Sequence, residues 1–307
     1  MRAQFIRTLV ELAEKDPRII LLSGDLGFTV IEPFVEKFPG RFFNIGVAEQ
    51  NMIGIATGLA KEGFIPFAYS IVNFAALRPY EFIRNGPILH QLPVRIVGVG
   101  GGFEYGAAGM THYGLEDVGV LRIQKGLSIV LPCDVAQTET ALRKTWNWPR
   151  PVYYRIGKGD KNFTLGTSGA FESGRVLFIK EGRDILLLTY GSMAKETLEA
   201  GEILVRRGYQ PAVAVVPGFN PSPNEDLLKI LPRFKSVLTV EDHYVEGGLG
   251  SYISEMIAEN GLGCRLRRCG VRFLSDGKIG SRNFMLKRNG LSPEELANSA
   301  IEEHKHF

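Results

Sequence analysis

The chain has 307 residues, which suggests two domains able to bury cores of their own and excludes a peptide hormone or a short coiled coil. Hydrophobic residues make up 45% and charged residues 22%, so neither a disordered nor a collagen-like chain fits. The formal charge is only +3 and the charges are scattered, which argues against a nucleic-acid-binding stripe. Cys133, Cys264 and Cys269 form an odd set without metal-type spacing. A disulfide framework is therefore not expected, and a reducing cytoplasm is.

In chain order, Phe5, Leu9 and Leu12 share one helical face. The opening stretch also lacks a basic region followed by an apolar core, so it is expected to be an amphipathic helix and not a secretory leader. Arg18-Ile-Ile-Leu-Leu-Ser23 then reads as a buried strand. Strands expected at 64–70, 94–99, 127–132 and 152–156 alternate with helices at 48–61, 73–84 and 135–145, the pattern of parallel βαβ units. Residues 1–165 are thus expected to form one open α/β domain. From 157 to 182 the chain turns to Gly, Ser, Thr and Lys, and 166–182 reads as a linker, with room for short strands of its own. A second open α/β domain, 183–307, is expected from strands at Ile185–Thr189, Ala212–Val216 and Ser236–Val240 interleaved with helices at about 193–206, 224–231 and 249–260. The longest apolar runs, such as Ile19–Leu22 and Ile185–Leu188, fall far short of the roughly 20 residues that span a bilayer, so no membrane partner is expected.

The fold class is therefore α/β. The chain contains no GxxxxGK[ST] phosphate loop, no GxGxxG opening a helix after a strand, no HExxH and no GxSxG elbow. Its glycines at βα turns fit a protein that binds a ligand beyond the carboxyl ends of its strands, or serve only as tight turns. The most informative segment is Asn44-Ile-Gly-Val-Ala-Glu49-Gln-Asn-Met-Ile-Gly-Ile-Ala-Thr-Gly-Leu-Ala60, where Glu49 opens a helix whose next ten residues are small, apolar or amide. Its carboxylate is expected to be buried, and burial of that kind favours a protonated, hydrogen-bond-donating carboxyl. The alternative is a first-turn glutamate facing the helix dipole.

The stretch from Asn44 to Ser70 resembles the glutamate-bearing segment of the pyrimidine-binding domain in thiamine diphosphate enzymes of the transketolase family. The resemblance continues through Asn73-Phe74, Gly109-Met-Thr-His112, Ile129-Val-Leu-Pro-Cys-Asp134 and Tyr154-Arg155-Ile-Gly-Lys158-Gly159. It ends in the family's C-terminal domain with Thr239-Val-Glu-Asp-His243 and Gly247-Gly-Leu-Gly-Ser251. It implies that Glu49 hydrogen-bonds the aminopyrimidine of thiamine diphosphate and helps activate the thiazolium carbon for attack on a carbonyl. Phe74 matches an aromatic that packs on the pyrimidine; otherwise it is a core residue beside Leu77. Asp25 matches an aspartate near the thiazolium, or caps a turn, and Ile71 stands at a cofactor position where an aromatic is frequent. His112 matches a catalytic, substrate-binding histidine. Arg155 and Lys158 resemble basic residues used on a sugar phosphate or at a subunit interface, with a solvated pair as the alternative.

Some positions depart from the family. Gly100 stands where transketolases carry a histidine, and Ala108 where an aspartate contacts the donor's hydroxyl. Glu104 or Tyr105 then compensates, or the substrate differs, as with a modified sugar. The chain also has neither the GDG nor the NN of the family's Mg²⁺ site. No metal ligand is expected here. The implied protein is the C-terminal subunit of a two-chain transketolase, moving a two-carbon ketol unit from a ketose or ketose phosphate to an aldose. Thiamine diphosphate and Mg²⁺ would be held mainly by an N-terminal diphosphate-binding subunit, in an α₂β₂ assembly. The Gly-Ala-Ala-Gly run leaves open a β subunit of a 2-oxoacid-decarboxylating or acyloin-forming enzyme. Loss of donor contacts leaves open a non-catalytic homologue that binds a partner.

Overall fold

A computed structural model describes residues 1–159, 165–273 and 276–305. Helix α1 (Arg2–Lys15) buries Phe5, Ile6, Leu9 and Leu12, the face its spacing dictates. It leads into β1 (Ile19–Ser23), every residue of which is buried. A short helix α2 (Glu32–Lys37) and an edge strand β2 (Phe42–Asn44) follow. Next come α3 (Glu49–Lys61), β3 (Ile65–Ile71), α4 (Val72–Ala76), α5 (Tyr80–Ile83) and β4 (Arg95–Val99). The continuous helix expected over 73–84 is broken between α4 and α5. Pro79, which cannot donate a backbone hydrogen bond and crowds the preceding turn, stands at the break. Helix α6 (Asp117–Arg122), β5 (Ser128–Val130), α7 (Val135–Thr145) and β6 (Val152–Ile156) complete this half. Asp134 caps α7 by accepting from the Gln137 amide at 2.7 Å.

The second half contains β7 (Leu177–Lys180), β8 (Ile185–Thr189), α8 (Ala194–Arg206), β9 (Ala212–Val215), β10 (Gly218–Phe219), α9 (Asn224–Ile230), β11 (Ser236–Tyr244), α10 (Leu249–Asn260), β12 (Arg265–Val271), α11 (Arg282–Arg288) and α12 (Pro293–Lys305). One sheet has the order β10-β5-β6-β4-β3-β1-β2 and the other β12-β11-β8-β9-β7. Pairing is parallel throughout except for β10 on β5 and β7 on β9. The order of β6, β4, β3 and β1 brings their carboxyl ends side by side.

Two features shape the boundary between halves. The expected linker 166–182 carries one short strand, β7, at an antiparallel sheet edge, while 160–164 fall outside the described residues. The first sheet also borrows β10 from the second half, and the Leu131 amide donates to the Pro217 carbonyl beside it. One apolar cluster crosses the boundary, joining Ile20, Leu22 and Met52 to Leu186, Leu188 and Tyr252, while a second lies in the first half around Phe5, Phe67 and Tyr154 and a third mainly in the second half around Leu187, Leu238 and Leu286.

Candidate active site

The expected site residues gather at the carboxyl edge of the first sheet, where parallel sheets place their ligands. Asp25 follows β1 and Ile71 ends β3. Glu49 opens α3 and Phe74 lies in α4. His112 ends a helical turn (Met110–His112) after β4, and Lys158 follows β6.

Glu49 is only 1% exposed. Its Oε1 accepts from the Ser70 hydroxyl at 2.9 Å, and its Oε2 is bound by the Arg78 guanidinium. The apolar surroundings expected from the sequence are thus incomplete, because Arg78 reaches in from the end of α4. Gly24 makes room for the carboxylate, since a Cβ there would lie 2.9 Å from Oε1. The guanidinium carbon of Arg78 also sits 4.3 Å from the centroid of Phe74. A planar nitrogen-bearing cation therefore lies over the aromatic ring while donating to the glutamate. An aminopyrimidine would need the same two contacts, a flat face to rest on and a buried carboxylate to meet its ring nitrogen. Glu49 and Phe74 thus fit the pyrimidine of thiamine diphosphate. Phe74 is half-buried rather than a core residue, and its ring meets His112 edge-on at 5.3 Å.

His112 is half-buried, with Nδ1 2.9 Å from the Thr111 hydroxyl. Among the described residues its other ring nitrogen has no hydrogen-bond partner. Asp25 is held at φ +59°, a left-handed conformation that aspartate tolerates better than most residues. Asn44 fixes it there, accepting from the Asp25 amide at 3.0 Å and donating to its carboxylate at 2.9 Å. Asp25, Ile71, Tyr69, Tyr105 and Arg2 line a cavity of about 240 Å³. A larger cleft of about 390 Å³ lies between Phe103, Tyr113 and the C-terminal part of the chain; its Asp276 and Arg288 pair with each other.

Arg155 requires a correction. It was expected at a sugar phosphate, at a subunit interface or in solvent, but it is 3% exposed and bridges the two halves of the chain. Its guanidinium bonds Asp117 at 3.1 Å, Asp242 at 3.0 Å and the Gly114 carbonyl at 3.0 Å. Loss of solvation opposes its charge, yet the two aspartates more than offset this and leave its pKa raised. Four of its five N–H donors are committed within the protein, and its burial keeps it from serving as a surface anion site. Lys158 remains half-buried at the site: its amide donates to Glu104 at 2.7 Å and its ammonium lies 4.1 Å from the centroid of Tyr105.

Ser70 and Asn44 were not singled out from the sequence. Their only signal was position, at the end of β3 and one residue before the turn that leads into α3. The Glu241-Asp-His243 run serves the fold. Glu241 accepts from the amides of Leu249 and Gly250 at 2.9 and 2.8 Å, and His243 Nε2 accepts from the Gly119 amide at 3.1 Å. The three cysteines are free thiols. No helix among the described residues is long and apolar enough to cross a membrane.

Residues 1–162 match the pyrimidine-binding domain of transketolase, and residues 174–296 match the transketolase C-terminal domain. The chain is 36% identical over 308 residues to a protein of Methanocaldococcus jannaschii described as a transketolase C-terminal section, covering 99% of this chain and 96% of the relative. It is 34% identical over 310 residues to the 6-deoxy-6-sulfo-D-fructose transketolase subunit SqwH of Clostridium sp. (strain MSTE9), covering 100% and 96%. A solved split-gene transketolase, described as an inactive β4 tetramer, superposes with a TM-score of 0.86 at 31% identity over 99% of this chain and 97% of its own. From its first sheet to its last helix, the chain belongs to the transketolase family and corresponds to the C-terminal section of a split transketolase.

Proposed function

We propose that this chain is the second subunit of a two-component transketolase that transfers a two-carbon ketol unit from a ketose or ketose phosphate to an aldose acceptor. The observation that carries the reading is the Glu49–Phe74 pair, which already holds a planar nitrogen-bearing group in the manner an aminopyrimidine requires. Membership of the family implies use of thiamine diphosphate. When bound, the cofactor supplies a nucleophilic carbon that adds to the ketose carbonyl and accepts the electrons of the bond that breaks.

The residues of this chain take defined parts. Glu49, fixed by Ser70, holds or releases a proton at the pyrimidine ring nitrogen. Phe74 supplies the ring's packing surface. Asp25 and Ile71 line a cavity at the same sheet edge, where Asp25 would face the cationic part of the cofactor. His112, with one ring nitrogen committed to Thr111, presents the other to substrate oxygens as hydrogen-bond partner and proton carrier. Lys158 offers a cation to an acidic group on the sugar, whereas Arg155 is committed to Asp117 and Asp242. The Clostridium relative, named for a sulfonated fructose, supports a donor with such a terminal acid.

The diphosphate and Mg²⁺ would be held by an N-terminal partner subunit. Support comes from the missing GDG and NN sequences and from the β-only split transketolase described as inactive. An α₂β₂ assembly in the cytoplasm completes the proposal. Relatives named as transketolase subunits favour ketol transfer over the oxoacid alternative.

The test is Glu49→Gln in the assembled enzyme. Turnover of a ketose donor is expected to fall by roughly 100-fold or more with assembly intact by size-exclusion chromatography. Unchanged turnover would remove Glu49 from the mechanism and return the non-catalytic reading.

A further inference from the structure

The loop after β4 contains a tyrosine whose placement is tied to a glycine five residues earlier. Gly100 has φ +76°, and a Cβ built on it would stand 2.1 Å from Cε2 of Tyr105. Position 100 and the Tyr105 ring therefore compete for one volume, and here the ring has it. That ring lines the same 240 Å³ cavity as Asp25 and Ile71. Its centroid lies 6.2 Å from that of His112, and the Lys158 ammonium rests 4.1 Å from its centre. Lys158 is held there through its backbone, by its amide's bond to Glu104 and by Arg2 donating to its carbonyl at 2.9 Å. Among the described residues the phenol hydroxyl has no hydrogen-bond partner. Burial raises its pKa, against a weaker lowering by Arg2, so the group stays protonated near neutrality. A half-buried phenol, packed by its ring and unpaired at its hydroxyl, borders both that cavity and His112.

We propose that Tyr105 is a specificity-determining residue for the donor sugar, its hydroxyl donating a hydrogen bond to a hydroxyl or carbonyl oxygen of the ketose beside His112. This rests on the reading of the chain as half of a ketol transferase. The ligand class is a polyhydroxylated ketone, because the groups nearest the Tyr105 ring, the His112 imidazole and the Lys158 ammonium, both address oxygen, as does the phenol itself. Gly100 is then required because any side chain there expels the ring.

The experiment uses the complex of this chain with its N-terminal partner, loaded with thiamine diphosphate and Mg²⁺. Tyr105→Phe keeps the ring, its fit against Gly100 and the Lys158 contact, and removes only the hydroxyl. Its kcat/KM for the preferred ketose is expected to fall roughly 10- to 100-fold, with the cofactor Kd and the acceptor KM unchanged. A deoxy-ketose lacking the contacted hydroxyl should be penalised in the wild type but not in Tyr105→Phe. Gly100→Ala, which displaces the ring, should reproduce the donor defect. Calorimetric binding of the ketose to each loaded complex gives a readout that does not depend on turnover. If the wild type transfers ketol units and Tyr105→Phe matches it on every donor, the Tyr105 assignment alone is overturned. If the loaded wild-type complex neither binds nor turns over any ketose, both the assignment and the ketol-transfer reading fall.

Discussion

Glu49 and Glu104 are two carboxylates with different surroundings. Glu49 is satisfied by Ser70 and Arg78. Glu104 binds the Lys158 amide, and loss of solvation raises its pKa despite nearby Arg282 and Arg155. A raised folded-state pKa means the proton is bound more tightly in the folded than in the unfolded chain. The stabilisation this gives is complete below the ordinary glutamate pKa, about 4.3, and is lost as pH rises through the raised value. Glu104→Gln should therefore gain stability relative to wild type as pH increases. In urea denaturation the difference between the two proteins should shift in favour of the variant between pH 4 and pH 8, and an equal difference at both would contradict a raised pKa. The burial of Glu49 was legible in the sequence because the residues after it are small, apolar or amide. Arg155 was not, because its role depends on Asp242, 87 positions away, which no local pattern reveals.

The elements that position the site are the buried parallel strands, and these were legible because continuous apolar runs bounded by turn residues admit few other readings. What escaped were elements at edges. Strand β12 carries Arg265, Arg267 and Arg268 and lies at the margin of its sheet, where charged side chains are tolerated and hide the strand pattern. Strand β10 is only two residues long and gains its identity from pairing with β5. That pairing depends on Gly218, where a Cβ would stand 2.2 Å from the Ile129 carbonyl oxygen. Gly218→Ala is expected to cost about 1–3 kcal/mol through displacement of β10, read as a lower urea midpoint at constant slope. An unchanged midpoint would show that β10 does not fasten the second half of the chain to the first sheet.

Across the whole molecule, the two halves are joined by a shared apolar core and by the Asp117–Arg155–Asp242 bridge. Tyr153 adds a hydrogen bond to Asp117 at 2.8 Å. Removing the cation leaves two buried carboxylates without a counter-charge, so Arg155→Met should destabilise the chain by about 3–5 kcal/mol. A loss below about 1 kcal/mol would mean that water or a shift between the halves relieves the charge. The bridge lies directly beneath the loop that carries Tyr105 and His112: a Cβ on Gly101 would meet the Arg155 guanidinium carbon at 2.2 Å, and one on Gly102 the Asp242 carboxylate at 2.0 Å. The joint between the halves thus also packs against the start of the loop that carries Tyr105 and His112.

The central claim is that this surface is half of a cofactor site, and the most direct measurement is calorimetric titration of thiamine diphosphate with Mg²⁺ into this chain alone and into its complex with the N-terminal partner. A split site predicts binding only in the complex, weakened by Glu49→Gln. Tight, Mg²⁺-dependent binding to the isolated chain would contradict it.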